Sequence, residues 1–245
     1  MSLAIYPLYL GEVEIDFSFM VWQTNCGNPT YVPATSWLIT GADKPILVDA
    51  GFRSAADVKA YSGLNARQSA EQTLEAQLSR HNLQPGDIGY VVHTHLHLDH
   101  CGLDDQLPNA RILVQRAELQ YAAAPLFPVP FYDRLDIAKL VGELWNRVEV
   151  LDGESELFPG IRTVTTRGHT PAHQMVYVEV PSGTAIITGD AAYIAAINVK
   201  QQVPFGYYIN LEDVMAGLRR IARDGKHVLP THDAEVYKLY PEGIR

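Results

Sequence analysis

Short apolar runs, each leading into a residue able to bind a metal ion, recur through this chain and limit what it can fold into. "GYVVHT" leads into His95, "RTVTTRG" into His169, "TAIITG" into Asp190 and "HVLPT" into His232. Apolar runs of this length, bounded by turn residues, read as buried strands. Four strands are therefore expected to deliver polar side chains at or just past their C-terminal ends, where a rigid scaffold presents its working residues. A lone strand-end histidine is usually a surface or capping residue. Four of them, beside the cluster "HTHLHLDH" at residues 93–100, ask for a common explanation.

The rest of the chain alternates in the same way. "AIYPLYL", "VEIDFSF", "TSWLIT" and "PILVDAG" are expected as strands, and "SAEQTLEAQLSRHNL" as a helix with Ser69 as its N-cap. "ARILVQ" predicts a strand, and "RAELQYAAA" and "DRLDIAKLVGELW" predict helices. "IRTVTT", "QMVYVEV" and "TAIITGD" are further strands, the last two joined by a "PSG" hairpin turn, before the helix "LEDVMAGLRRIARDG". Strands and helices interleave in both halves without a linker or repeat, so residues 1–245 are expected to form a single layered α/β domain.

With 19 Lys+Arg against 28 Asp+Glu, the net charge of −9 argues against a nucleic-acid partner. Two cysteines, Cys26 and Cys101, are too few for a disulfide scaffold and fit a reducing compartment. The first residues lack a basic region followed by a long apolar run, so neither a signal peptide nor a membrane span is expected, and a cytoplasmic setting is the default. Oligomeric state is not encoded in any feature of the sequence.

Imidazole and carboxylate are ligands for first-row transition metals. His95 and His97, two apart on an extended segment, can project to one side, whereas Asp99 and His100 continue around the following turn. One ion does not easily take all four from so short a loop. Two adjacent ions can, if distant strands supply the remaining ligands.

His95-Leu96-His97-Leu98-Asp99-His100 resembles the HxHxDH motif of the metallo-β-lactamase superfamily, and His169, Asp190 and His232 follow in that superfamily's order. The resemblance implies an αββα sandwich of two mixed sheets flanked by helices. It also implies a dinuclear site: His95, His97 and His169 on one metal, Asp99, His100 and His232 on the other, and Asp190 bridging. Zinc is the usual expectation for such a set, with iron, manganese and cobalt as alternatives.

Within that superfamily the chain looks most like the N-acyl homoserine lactone lactonases, the quorum-quenching branch. Tyr193 three residues after Asp190, the segment "VPFGYY" and the ending "THDAEVYKLYPEGI" carry this likeness. The sequence departs from the family pattern at Ala172 and Thr231, where glycine is usual, and at Leu98, where a larger side chain is common. The likeness implies a hydrolase of a small-molecule lactone, in which a metal-bridging hydroxide, available because the pKa of water falls from about 15.7 to near 7, attacks the ring carbonyl. Tyr193 would donate a hydrogen bond to substrate oxygen, and Asp99 would be a ligand that also passes a proton to the leaving alkoxide. A hydrolase of another lactone or ester, such as a pyridoxolactone-like ring, and a non-hydrolytic redox or sensing module are the alternatives.

Substrate contacts are expected from aromatic and apolar residues outside the regular elements. Met20 and Trp22, Leu98, Phe127 and Phe131 in the proline-rich "AAAPLFPVPFYDRL", and Phe205 with Tyr207 and Tyr208 are the candidates, with core packing as the competing use. His93 reads as buried or supporting rather than ligating. His173 is expected to support its turn, and Asp49 to hold a ligand histidine. Cys101 reads as a small buried residue, and His81 and His227 carry no assigned role.

Overall fold

The computed structural model describes residues 2–245. Strand β1 (Ala4–Asp16) pairs antiparallel with β2 (Pro29–Thr40), and between them the short helix α1 (Phe17–Met20) starts where the Asp16 carboxylate accepts Ser18 N–H. The runs "AIYPLYL" and "VEIDFSF" are therefore parts of one strand, and the end of the second belongs to α1. The strand's register slips between Tyr9 and Glu12, around Gly11 with φ +116°.

Next come β3 (Ile46–Val48), α2 (Ala55–Ser62), β4 (Ala66–Arg67), α3 (Leu74–Ser79), β5 (Tyr90–Val92), β6 (Arg111–Gln115), α4 (Arg116–Ala123), α5 (Arg134–Val141) and β7 (Val148–Leu151). They complete a seven-stranded mixed sheet in the order β4-β1-β2-β3-β5-β6-β7. A five-stranded sheet follows, formed by β8 (Ser155–Phe158), β9 (Ile161–Thr165), β10 (Gln174–Val180), β11 (Gly183–Gly189) and β12 (His227–Pro230), in the order β12-β11-β10-β9-β8. Helix α6 (Leu211–Asp224) precedes β12, and α7 (Val236–Leu239) follows it.

The helix expected over 69–83 is interrupted. Ser69 N–H donates to Gln72 Oε1 in a first tight turn, and Thr73 Oγ1 then accepts Ala76 N–H to open α3. Two capping residues four apart give the chain two competing starts, and the second wins. Likewise α5 stops at Val141 because Gly142 follows, where a glycine weakens the helix.

Period-two alternation explains the layering. In β2 and β3, Trp37, Ile39, Ile46 and Val48 point between the sheets, while Leu38 and Leu47 point outward to meet Leu74 and Leu78 of α3. In the second sheet Val176, Val178, Ala185 and Ile187 face inward, and Met175, Tyr177 and Ile186 face Leu218 and Ile221 of α6. Farther along the first sheet, Ile112 and Val114 face Leu119 of α4 and Ile137 of α5. The result is an αββα sandwich. Ile187 is fully buried between the sheets, so Ile187→Ala is expected to cost about 2–5 kcal/mol in urea denaturation; a loss under about 1 kcal/mol would contradict this packing.

The arrangement brings strand ends from both sheets to one edge. There the Gln174 N–H donates to Thr94 O at 2.9 Å and the Gln174 side-chain amide to His93 O at 2.7 Å. The segment after β5 is thus tied directly to the start of β10.

Candidate metal centre

Four connections deliver the polar cluster: residues 93–100 after β5, residues 166–173 between β9 and β10, Asp190 directly after β11, and His232 just past β12. Gly189 makes the close approach possible. It has φ +51°, and a Cβ there would sit 2.6 Å from Thr94 Oγ1 and 2.8 Å from His173 Nε2. His95, His97, His100, His169, Asp190 and His232 are buried, whereas Asp99 keeps partial exposure.

The ring nitrogens converge at close range. His97 Nδ1 lies 3.0 Å from His95 Nε2 and 3.1 Å from His169 Nε2. Thr94 Oγ1 gives its one proton to Asp49 Oδ2, so it accepts from His95 Nδ1 at 3.1 Å. His169 Nδ1 donates to Tyr207 O, His100 Nδ1 to Asp49 Oδ2 at 2.8 Å, and His232 Nδ1 to Pro33 O at 2.8 Å. With Nδ1 engaged outward in each of these four rings, Nε2 is the nitrogen turned to the centre, the orientation a metal ligand needs.

Asp190 stands between two groups of donors. Its Oδ2 is 3.4 Å from His169 Nε2, and its Oδ1 is 3.4 Å from His100 Nε2 and 3.2 Å from His232 Nε2. Asp99 approaches His100 and His232 at 3.8 and 3.6 Å. Donor atoms of His95, His97 and His169 lie within 4.8 Å of one another, as do those of Asp99, His100 and His232. Among the described residues, the buried His100 Nε2 and Asp190 Oδ1 have no hydrogen-bond partner. Crowded ring nitrogens and buried polar atoms without partners are costly by themselves and are satisfied by cations. The residues fit divalent metal.

The electrostatics agree with the two-sided geometry. Burial, reinforced by the neighbouring imidazoles, holds His95 and His97 well below the usual histidine range, so both rings are neutral. Burial also opposes charge on His100 and His232, but Asp190 and Asp99 outweigh it and raise both, with Asp49 adding to the effect on His100. Burial alone would raise Asp190; His232, His100 and His169 instead keep it well below the usual carboxylate range.

Supporting residues surround this cluster. Asp49 accepts from Thr94 N–H, Thr94 Oγ1–H and His100 Nδ1–H, all at 2.8 Å. These bonds hold it at φ +61°, a conformation costing on the order of 1 kcal/mol. His173 Nε2 accepts Asp190 N–H at 3.1 Å, so its Nδ1–H donates to Thr166 Oγ1 at 2.9 Å; burial lowers its pKa to about 3 and keeps it neutral. His93 turns away toward Asp104, at 2.9 Å. Cys101 is buried, and no sulfur joins the donor set.

A narrow cavity opens on the cluster. Val13 and Ile15 of β1, Val58, Leu64, Leu98 and Phe131 make much of its apolar wall, and Tyr193 and Tyr207 stand beside the histidines. Of the aromatic and apolar candidates, Leu98, Phe131, Tyr193 and Tyr207 line it. Phe205 is buried behind, its ring 5.4 Å from that of Tyr193, and Met20 is buried in the adjoining core. Trp22 and Phe127 do not line this cavity. Trp22 is exposed, and Phe127, exposed as well, borders a broad shallow groove with Leu126, Arg134 and Val141, which none of the histidines reaches. Phe127 stays outside, whereas Phe131 lies within, where its carbonyl accepts Leu98 N–H at 2.8 Å.

Two residues near the site escaped the sequence reading. Asn198, in the wide π-helical turn Ala195–Val199, accepts Tyr193 N–H and Ile194 N–H and donates to Met20 O and Val203 O. Its only sequence signal is a lone amide within an apolar stretch. Glu118 is a fully buried acid on the inner face of α4, beside Leu119 and Ala122; an acid on an otherwise apolar helix face was the available signal.

Fold and donor set together define a metal-dependent hydrolase. The chain belongs to the metallo-beta-lactamase superfamily, whose family model matches residues 29–235. It is similar to an N-acyl homoserine lactonase of Bacillus thuringiensis, 27% identical over 98% of both chains. It is also similar to the N-acyl homoserine lactonase AttM of Azorhizobium caulinodans, 28% identical over 98% of this chain and 96% of that one. Among solved structures, a Bacillus thuringiensis AiiA mutant with N-decanoyl-L-homoserine at its active site superposes with a TM-score of 0.82, covering 100% of both chains at 24% identity. That likeness shows the fold.

Proposed function

We propose that this protein is a dinuclear metal-dependent lactonase that opens N-acyl homoserine lactones, working as one cytoplasmic domain. The observation that carries the reading is Asp190 set between two donor groups, both bordering an apolar cavity that also holds Tyr193. Relatives matched along nearly their whole length are N-acyl homoserine lactonases, which supports the substrate class. Both cysteines are unpaired, and no described helix is long and apolar enough to cross a membrane.

His95, His97 and His169 would hold one cation, Asp99, His100 and His232 the other, and Asp190 both. When bound, the cations supply Lewis acidity and a nucleophile usable at neutral pH. The chain's own groups do the rest. Hydrolysis adds a hydroxyl group to the lactone carbonyl carbon, breaks the ring C–O bond and places a proton on the ring oxygen. The Tyr193 hydroxyl, kept protonated by burial and by the charge of Asp190, donates a hydrogen bond to the carbonyl oxygen as negative charge develops there. Asp99, the partly exposed acid at the cavity, takes up the proton released when water supplies that hydroxyl and passes it to the departing ring oxygen. Val13, Ile15 and Val58 offer an acyl chain an apolar surface.

The test is metal analysis together with a panel of lactones and esters on protein loaded separately with zinc, iron, manganese or cobalt. Two metal equivalents per chain and preferred opening of acyl homoserine lactones are expected. Turnover confined to other lactones or simple esters would reassign the substrate, and a fully loaded protein with no hydrolysis would overturn the enzyme assignment.

A further inference from the structure

Glu118 of α4 is fully buried, and the proposed chemistry leaves it unused. Its carboxylate gathers donors from separate parts of the chain. Oε1 accepts Leu96 N–H at 3.2 Å and the Tyr132 hydroxyl at 2.9 Å, and Oε2 accepts the Thr170 hydroxyl at 2.7 Å. Burial raises its pKa, while these donors and the Ala172 N–H favour the ionised form. Leu96 lies between His95 and His97, and Thr170 directly follows His169. The Tyr132 ring meets that of His97 at 4.8 Å and 62°. Leu96, Tyr132 and Thr170 thus each adjoin a member of the His95, His97 and His169 trio, and none of the three adjoins His100, Asp190 or His232.

The two donor groups differ in charge. Asp99 belongs to the group of His100 and His232, whereas the trio consists of neutral imidazoles and has no carboxylate besides the shared Asp190. A buried acid is costly where an amide or an apolar residue would pack as well. Its placement behind the trio gives that expense a use. We propose that Glu118 is the positioning residue of the three-histidine half: it joins the two loops that aim those rings and supplies the negative charge that their neutral donor set lacks. This rests on the two-cation reading of the site.

The test is titration of metal-free protein with Co2+, following the visible spectrum and the bound metal. His169→Ala identifies which of two equivalents belongs to the trio. In Glu118→Gln, which preserves size and loses charge, that same equivalent is expected to bind roughly 10–100-fold more weakly, with the other unchanged and the metal-free protein melting close to wild type. Equal weakening of both equivalents, as general loosening would produce, overturns the proposal, and so does no weakening of either. Should Glu118→Gln fail to fold, Tyr132→Phe and Thr170→Val each remove one donor and are expected to weaken the same equivalent by a smaller factor; unchanged binding in both overturns the proposal. Wild-type protein that binds fewer than two equivalents would instead remove the two-cation reading beneath it.

Discussion

Replacing Asp190 with asparagine is expected to strip metal from both halves of the site and to reduce lactone hydrolysis on the order of 10³-fold or more. Asp190 faces His169 with one oxygen and His100 and His232 with the other. Asparagine keeps the shape but can present an oxygen to only one side; its NH2 must face imidazole nitrogens on the other. It also removes the carboxylate that both donor groups share. Lewis-acid stabilisation is worth several kcal/mol, and each ~1.4 kcal/mol is tenfold in rate, which sets the expected scale. The variant should still fold, because the residue 190 N–H, which donates to His173 Nε2, is unaffected. Metal content after exhaustive dialysis, measured beside turnover, checks the assignment. Two retained equivalents in Asp190→Asn would show that this carboxylate does not join the halves.

The course of the strands could be read from the sequence because burial on both faces leaves an apolar run that few other structures produce. "QMVYVEV" is β10 and "ARILVQ" contains β6. The convergence of His95, His169, Asp190 and His232 was legible for the same reason: each follows a strand, and parallel or twice-reversed strands end at one edge. Short and half-exposed pieces were not. β7 and β8 are four residues each, with one glutamate apiece and no long apolar run, and β4 has only two residues. Ser69 and Thr73 split a helix whose apolar spacing looked continuous, because local capping competes with periodicity. The cavity wall was harder still. Aromatic content in "AAAPLFPVPFYDRL" does not distinguish Phe127, turned outward, from Phe131, turned inward, since both are phenylalanines next to a proline and their directions depend on tertiary contacts such as Phe131 O with Leu98 N–H. Glu118 acts through partners 14 to 52 residues away, and Asn198 ties its own turn to Met20, 178 residues back, so little marks either beyond a polar side chain in apolar company.

Tyr193→Phe should separate metal binding from catalysis at this site. The Tyr193 ring stacks on His232, with centroids 5.3 Å apart and 17° between planes, and touches Phe205 at 5.4 Å; phenylalanine keeps both contacts. The backbone at 193 stays anchored by Asn198 Oδ1 at 2.9 Å. Metal content is therefore expected to match wild type. The hydroxyl is another matter. Burial and the charge of Asp190 raise its pKa far above the usual value, so it remains a proton-bearing donor across the working pH range. A donor placed where carbonyl oxygen becomes an oxyanion gains strength as the reaction proceeds, and its loss costs about 3 kcal/mol, or roughly 10²–10³-fold in kcat. Because that bond strengthens mainly in the transition state, kcat and kcat/KM should fall together while KM changes little. A rise in KM at constant kcat would recast Tyr193 as a contact to the ground-state substrate, and wild-type kinetics in the fully loaded variant would remove its hydroxyl from the reaction.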